Sequence, residues 1–145
     1  MLNQTTIDKL HRMRLGTMAD AFTSQFGDVS YEGLTFEERF GMVVDSEWAK
    51  RRSTKLQNLI RIAGFRYPNA CMEDVEYHPD RKLNKSQLLQ LSTCRFIQDG
   101  HHIILEGASG NGKTFLACAL GNAACRNFMT VRYIRLPELF NDLII

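Results

Sequence analysis

Between Thr6 and about Phe26 the apolar residues Ile7, Leu10, Leu15, Met18, Phe22 and Phe26 recur at helical spacing. The pattern predicts one amphipathic helix, with Gly27 as its stop. After a turn-like stretch from Gly27 to Gly33, the run Thr35-Phe36-Glu37-Glu38 reads as a capping box: Thr35 caps the helix and Glu38 returns a bond to the cap's own amide. A second helix starts there and its pattern runs to about Ala63, ended by Gly64, a length of about 45 Å at 1.5 Å per residue. Within it the apolar face moves. Phe36, Phe40, Val43, Val44 and Trp48 share one side, while Leu56, Leu59, Ile60 and Ala63 lie roughly a third of a turn away, so no single straight core-facing stripe fits.

Tyr67-Pro68-Asn69 breaks the helical pattern, and the stretch from Asp74 to Arg81 reads as a connector. This divides the chain into a helical domain over 1–70, a connector over 71–85 and a second domain over 86–145. A helix is expected from about Ser86 through Phe96, using Leu88, Leu89, Leu91 and Phe96. A strand follows, His102 to Leu105, then a glycine-rich loop, a helix from Gly112 to about Asn127, and a second β-like run from Thr130 to Arg135. Pro137 suits the first turn of a last helix, Glu138 to Ile145. Strand, loop, helix, strand in that order argues a parallel α/β nucleotide-binding fold. The fold class expected is α + α/β, a helical N-terminal domain followed by a parallel α/β domain.

The loop itself is Gly107-Ala108-Ser109-Gly110-Asn111-Gly112-Lys113-Thr114, a complete G-x-x-x-x-G-K-[ST] pattern. At ordinary residue usage it arises by chance in a chain this long on the order of one time in two hundred. The strand before it and helix after it make accident less credible still. A triphosphate is well solvated, so a site must replace its water with many aimed N–H donors. Gly107, Gly110 and Gly112 let the backbone turn tightly and approach the phosphates with no Cβ in the way. Lys113 reaches the β- and γ-phosphates, and the Thr114 hydroxyl becomes a ligand of the Mg²⁺ that bridges them. The ligand expected is a nucleoside triphosphate with its Mg²⁺.

Composition changes this picture little. In 145 residues, 44% are hydrophobic and 23% charged, values of an ordinary globular protein. No apolar run approaches the roughly 18 residues that span a bilayer, and the start lacks a basic-then-apolar signal pattern, so a cytoplasmic protein is expected. A net charge of +2 does not by itself announce a nucleic-acid partner. Local clustering does more. Lys50, Arg51, Arg52, Lys55, Arg61 and Arg66 fall in a stretch with no acidic residue between Glu47 and Glu73. Two readings stay open: a basic face that meets nucleic-acid phosphates, or a solvated helix face with i,i+4 pairs such as Glu47 with Arg51. Cys71, Cys94, Cys118 and Cys125 form no C-x-x-C pair, and Cys118 and Cys125 share a helix face as small buried hydrophobes. His11, His78, His101 and His102 are scattered and take no catalytic role. No metal site other than Mg²⁺ held through the nucleotide is expected.

Taken together these residues resemble the helper ATPases of bacterial insertion sequences, the IstB family, within the wider AAA+ group that includes DnaC-type helicase loaders. The resemblance rests on Leu15 to Ala19, Leu34 to Phe40, Glu47 with Arg51-Arg52, Ala63-Gly64-Phe65, Gly107 through Ala119 and Gly121 to Ala124. Tyr133, Arg135, Leu136, Pro137, Leu139 and Phe140 extend it. The resemblance implies an all-α N-terminal domain that helps bind DNA and assemble subunits, followed by an AAA+ P-loop NTPase domain. It further implies ATP binding at Gly107 to Thr114, self-association on DNA, and a transposase as partner. A helicase loader, or a non-catalytic ATP- and DNA-binding remnant, are the alternatives.

The same resemblance implies motifs that these residues do not supply. Hydrolysis in AAA+ proteins needs an acidic pair after a later strand, a polar sensor and an arginine from a neighbouring subunit, and none occurs among the 145 residues, so no catalytic residue is assigned. The chain looks like the N-terminal half of the family, with its α/β portion incomplete. The runs through Leu105 and Val131 to Ile134 are then expected to stand unpaired, pair with each other, or find edges in another chain.

Overall fold

The structure is a computed structural model and describes residues 2–144. Helices α1 (Leu2–Arg12), α2 (Gly16–Ser24), α3 (Phe36–Ala63), α4 (Lys85–Ser92), α5 (Arg95–Gln98), α6 (Lys113–Arg126) and α7 (Leu136–Leu143) follow one another, with short 3₁₀ turns at Val29–Tyr31, Met72–Asp74 and Pro79–Arg81. Ile145, placed at the end of the expected last helix, lies outside the described residues. The chain divides into two compact units, the first ending at Thr54 and the second starting at Lys55, so that α3 contributes to both.

In the first unit the expected single helix is two. Arg14 adopts a left-handed conformation (φ 61°), its N–H donates to the His11 carbonyl at 3.0 Å, and the Leu15 N–H donates to the Leu10 carbonyl at 2.8 Å. This pair of bonds is the Schellman stop, normally built on glycine. An arginine in that place hides the break from sequence inspection. α1 and α2 pack together, and Leu10, Ala19 and Val43 are buried apolar residues of this unit. The capping box forms as expected: the Glu38 N–H donates to Thr35 Oγ1 at 3.2 Å and the Thr35 N–H to Glu38 Oε2 at 2.8 Å.

The second unit accounts for the late apolar face of α3. Ala63 and Phe65 are buried with Ala70, Cys118, Ala119 and Cys125, and Leu56, Leu59 and Ile60 pack against that cluster. The late face of α3 thus belongs to a core made with α6, whereas on the early face Val43 is buried and Phe36, Phe40, Val44 and Trp48 are exposed. Three cysteines, Cys94, Cys118 and Cys125, are fully buried free thiols. Burial pushes the thiols of Cys94 and Cys125 up from their ordinary pKa, as expected for side chains that act as small hydrophobes. α4 ends early, because Cys94 takes a left-handed conformation (φ 62°) and separates it from α5.

The expected α/β domain is not what the structure contains. Among the described residues there is no β-strand: the runs 102–105 and 130–135 carry no ladder. Each run is drawn to a different core. Leu105 packs with Val75, Leu88 and Leu116, while Val131 and Tyr133 pack on the cluster of Ala63 and Cys118, and the Tyr133 N–H donates to the Ala63 carbonyl at 2.8 Å. An alternating sequence favours an extended chain, but a strand exists only where another strand supplies its hydrogen bonds. Ile104, 82% exposed, is left without the neighbour that a sheet would have given it.

Candidate functional site

The glycine-rich loop leads directly into α6, with Gly112 as the residue before its first turn. Gly110 (φ 84°) and Gly112 (φ 82°) both occupy the left-handed region that side chains other than glycine enter at a cost. The Asn111 N–H donates to the Ala108 carbonyl at 3.3 Å, and the Leu116 N–H to the Gly112 carbonyl at 3.0 Å, which starts the helix. The early amides of α6 are therefore left to face the loop, carrying the positive end of the helix dipole. Lys113 folds back over the loop and its Nζ donates to the Gly107 carbonyl. A Cβ on Gly107 would lie 3.7 Å from Lys113 Cδ and 3.8 Å from Asn111 Nδ2, so the loop closes closely on its own lysine.

These groups border a cleft of 340 Å³ lined by Arg81, Leu83, Leu105, Gly107, Lys113 and Leu116 among others. The residues fit a polyphosphate: a lysine whose protein partner is a neutral carbonyl, two glycines in conformations that clear the loop, and a helix start behind them. Thr114 sits in the first turn of α6, half-buried. Among the described residues no cluster of His, Cys, Asp and Glu could hold a metal by itself. No helix among them is long and apolar enough to cross a membrane.

All six candidate DNA contacts, Lys50, Arg51, Arg52, Lys55, Arg61 and Arg66, are exposed. They are not equivalent. Arg51 donates through Nε to Glu47 Oε1 at 2.9 Å and through Nη2 to the Arg14 carbonyl at 3.2 Å. Glu47 in turn is buried and accepts the Met18 N–H at 3.1 Å, so this ion pair ties α3 to the start of α2 and to the left-handed turn before it. The hydrogen bond and charge of Arg51, with the Met18 amide, hold the Glu47 carboxyl below its ordinary pKa against the cost of burial. The i,i+4 pair anticipated for a solvated face is therefore also a structural tie. Arg52 lies over the Trp48 ring at 5.8 Å, Lys55 over Phe128 at 5.3 Å and Arg66 over Tyr67 at 5.4 Å. Such stacking seats a cation against an aromatic face at the surface.

Two residues at the site's margins were not singled out as acting by the residue pattern. Arg81, in the stretch read as a connector, reaches the loop: its Nη2 donates to the Asn111 carbonyl at 3.2 Å. Nothing in the local spacing signals a contact across thirty residues. Asn122, buried in α6, donates to the carbonyls of Pro68 at 2.9 Å and Ala70 at 2.7 Å, and so fastens the helix behind the loop to the 67–70 turn.

The loop, its lysine and the helix behind it define the chain as a P-loop protein. Residues 8–145 match the family of IstB-like ATP binding proteins. Over 143 residues the chain is 37% identical to the protein named for ATP binding in insertion sequence IS1162 of Pseudomonas fluorescens, covering 99% of this chain and 62% of that protein. It is 38% identical over 143 residues to the insertion-sequence protein y4pL of Sinorhizobium fredii, also named for ATP binding, covering 99% of this chain and 58% of that one. An insertion-sequence protein of Mycobacterium tuberculosis is 29% identical over 134 residues. The chain belongs to the IstB-like ATP binding protein family, and it spans about 60% of the length of the first two of these relatives.

Proposed function

We propose that the chain binds ATP with Mg²⁺ at Gly107 to Thr114 and serves, as an AAA+ protein, the transposition of an insertion sequence by assisting a transposase. The observation that carries the nucleotide part is the Gly110–Gly112 turn feeding α6 with Lys113 laid across the loop. On binding, the triphosphate takes the place of the Gly107 carbonyl as the partner of Lys113 Nζ. The Thr114 hydroxyl faces the ion that the β- and γ-phosphates bring. Family membership, and relatives named for insertion sequences, support the transposition part.

The same reading gives Lys50, Arg51, Arg52, Lys55, Arg61 and Arg66 a part in contacting DNA phosphates or a neighbouring subunit, with self-association on DNA. Their exposure and the aromatic seating of Arg52, Lys55 and Arg66 support it. We assign no residue of this chain a role in cleaving the γ-phosphate bond. The direct test is an ATP titration of the purified chain beside a Lys113→Ala variant. Binding that the variant loses supports the reading, and equal affinity of the two overturns it.

A further inference from the structure

Arg81 ends the 3₁₀ turn Pro79–Arg81 and sends its guanidinium into the wall of the loop. Nη1 donates to the Glu76 carbonyl at 2.8 Å and Nη2 to the Asn111 carbonyl at 3.2 Å. The same Nη2 stands 3.0 Å from where a Cβ on Gly112 would be, so the cation is seated against the peptide that starts α6. Both of its partners are neutral carbonyls. Asp80 and Glu106 line the same cleft, yet among the described residues no carboxylate forms an ion pair with Arg81. A guanidinium has five N–H donors in a rigid fork, so two contacts leave donors unspent on a side chain that lines the cleft.

The geometry assigns Arg81 as a second polyphosphate-binding cation, contributed by the segment ahead of α4 and acting beside Lys113 on the charged end of the nucleotide. This rests on the nucleotide reading of the loop and adds to it a residue that the G-x-x-x-x-G-K-[ST] pattern does not contain. Two carbonyl anchors hold the fork in place before any ligand arrives, so little side-chain freedom is lost when a phosphate oxygen meets it. Lys113 is a mobile point charge and Arg81 a fixed planar one. The pair suits a ligand with several adjacent phosphate oxygens better than a monophosphate.

A merely buttressing role, in which Arg81 only supports the Asn111–Gly112 peptide, makes a different prediction, and the full chain can separate the two. ATP and inorganic tripolyphosphate are titrated against the parent, Arg81→Gln, Arg81→Lys and Lys113→Ala at several salt concentrations, with far-UV circular dichroism and a thermal melt of each. Gln keeps an amide donor for the Asn111 carbonyl but no charge, and Lys keeps the charge but not the fork. Arg81→Gln should bind both ligands about tenfold more weakly, the loss of one charge-assisted contact, and with a flatter salt dependence, because a screened attraction has been removed. Arg81→Lys should keep the parent's salt dependence. Parent-like affinity and salt dependence in a folded Arg81→Gln, with binding still lost in Lys113→Ala, overturns the role of Arg81 alone. If the parent binds neither ligand, the nucleotide reading itself falls.

Discussion

Gly121 of α6 packs against the ring of Phe65: a Cβ added to the glycine would come 2.7 Å from Phe65 Cζ, closer than real Cβ contacts come. Phe65 is buried just past the end of α3, beside Ala63 and Cys118. The approach of the helix behind the phosphate loop to the end of the long helix is thus set by the missing side chain of one residue.

Gly121→Ala should therefore destabilise the chain by about 1–3 kcal/mol through overpacking, although alanine is favoured over glycine inside a helix by about 1 kcal/mol. Adding Phe65→Leu should return part of the loss. Urea unfolding of the single and double variants checks it, and a Gly121→Ala midpoint above the parent's would contradict the packing argument.

Asn122 gives both of its amide contacts to the 67–70 turn. Asn122→Ala should cost about 1–3 kcal/mol by leaving the Pro68 and Ala70 carbonyls without that donor. Asn122→Asp should be worse, since a carboxylate would face two carbonyl oxygens. Thermal melts that rank Asp at or above Ala would show that the side chain acts otherwise.

Glu47 should make stability depend on acid. Its carboxyl is held below the ordinary pKa in the folded chain, by Arg51 first and then by the Met18 amide. The contribution is fully present above the unfolded-state value of about 4.3 and is lost as pH falls through the lower folded-state value. Glu47→Gln should flatten the fall in urea midpoint over that window relative to the parent. Parallel curves for the two proteins would remove Glu47 from the acid response.

The basic residues should separate into two kinds. Removing the charge of Lys50 or Lys55 should lower the salt slope of DNA binding by about one each while leaving the melt little changed. Arg51→Ala should lower the melting temperature as well, because it strands buried Glu47 and frees the Arg14 carbonyl. Salt slopes that none of these variants changes would leave the exposed cations without a DNA role.

Helices whose signals are local were legible before the structure. The Thr35–Glu38 box, the Gly64 stop and the Gly112 start all depend on residues within one turn of each other. The break at Arg14 was not legible, because the left-handed stop was built on a residue that seldom makes one, and Cys94 hid the break between α4 and α5 for the same reason. The runs 102–105 and 130–135 carried strand patterns, but their partners were decided elsewhere. Along the glycine-rich loop, Gly107 to Thr114 was legible as a motif and the reach of Arg81 to the Asn111 carbonyl was not.

The phosphate loop, the capping of α3 and the change of apolar face along it follow from spacing along the chain alone. Folding alone settles that the late face of α3 joins a core with α6, that Leu105 and Tyr133 pack into different clusters with no ladder among the described residues, and that Arg81 meets Asn111. The reason is physical: caps and helical periods involve neighbours a few residues apart, whereas ladder bonds and the seat of a guanidinium depend on groups that only folding brings within reach.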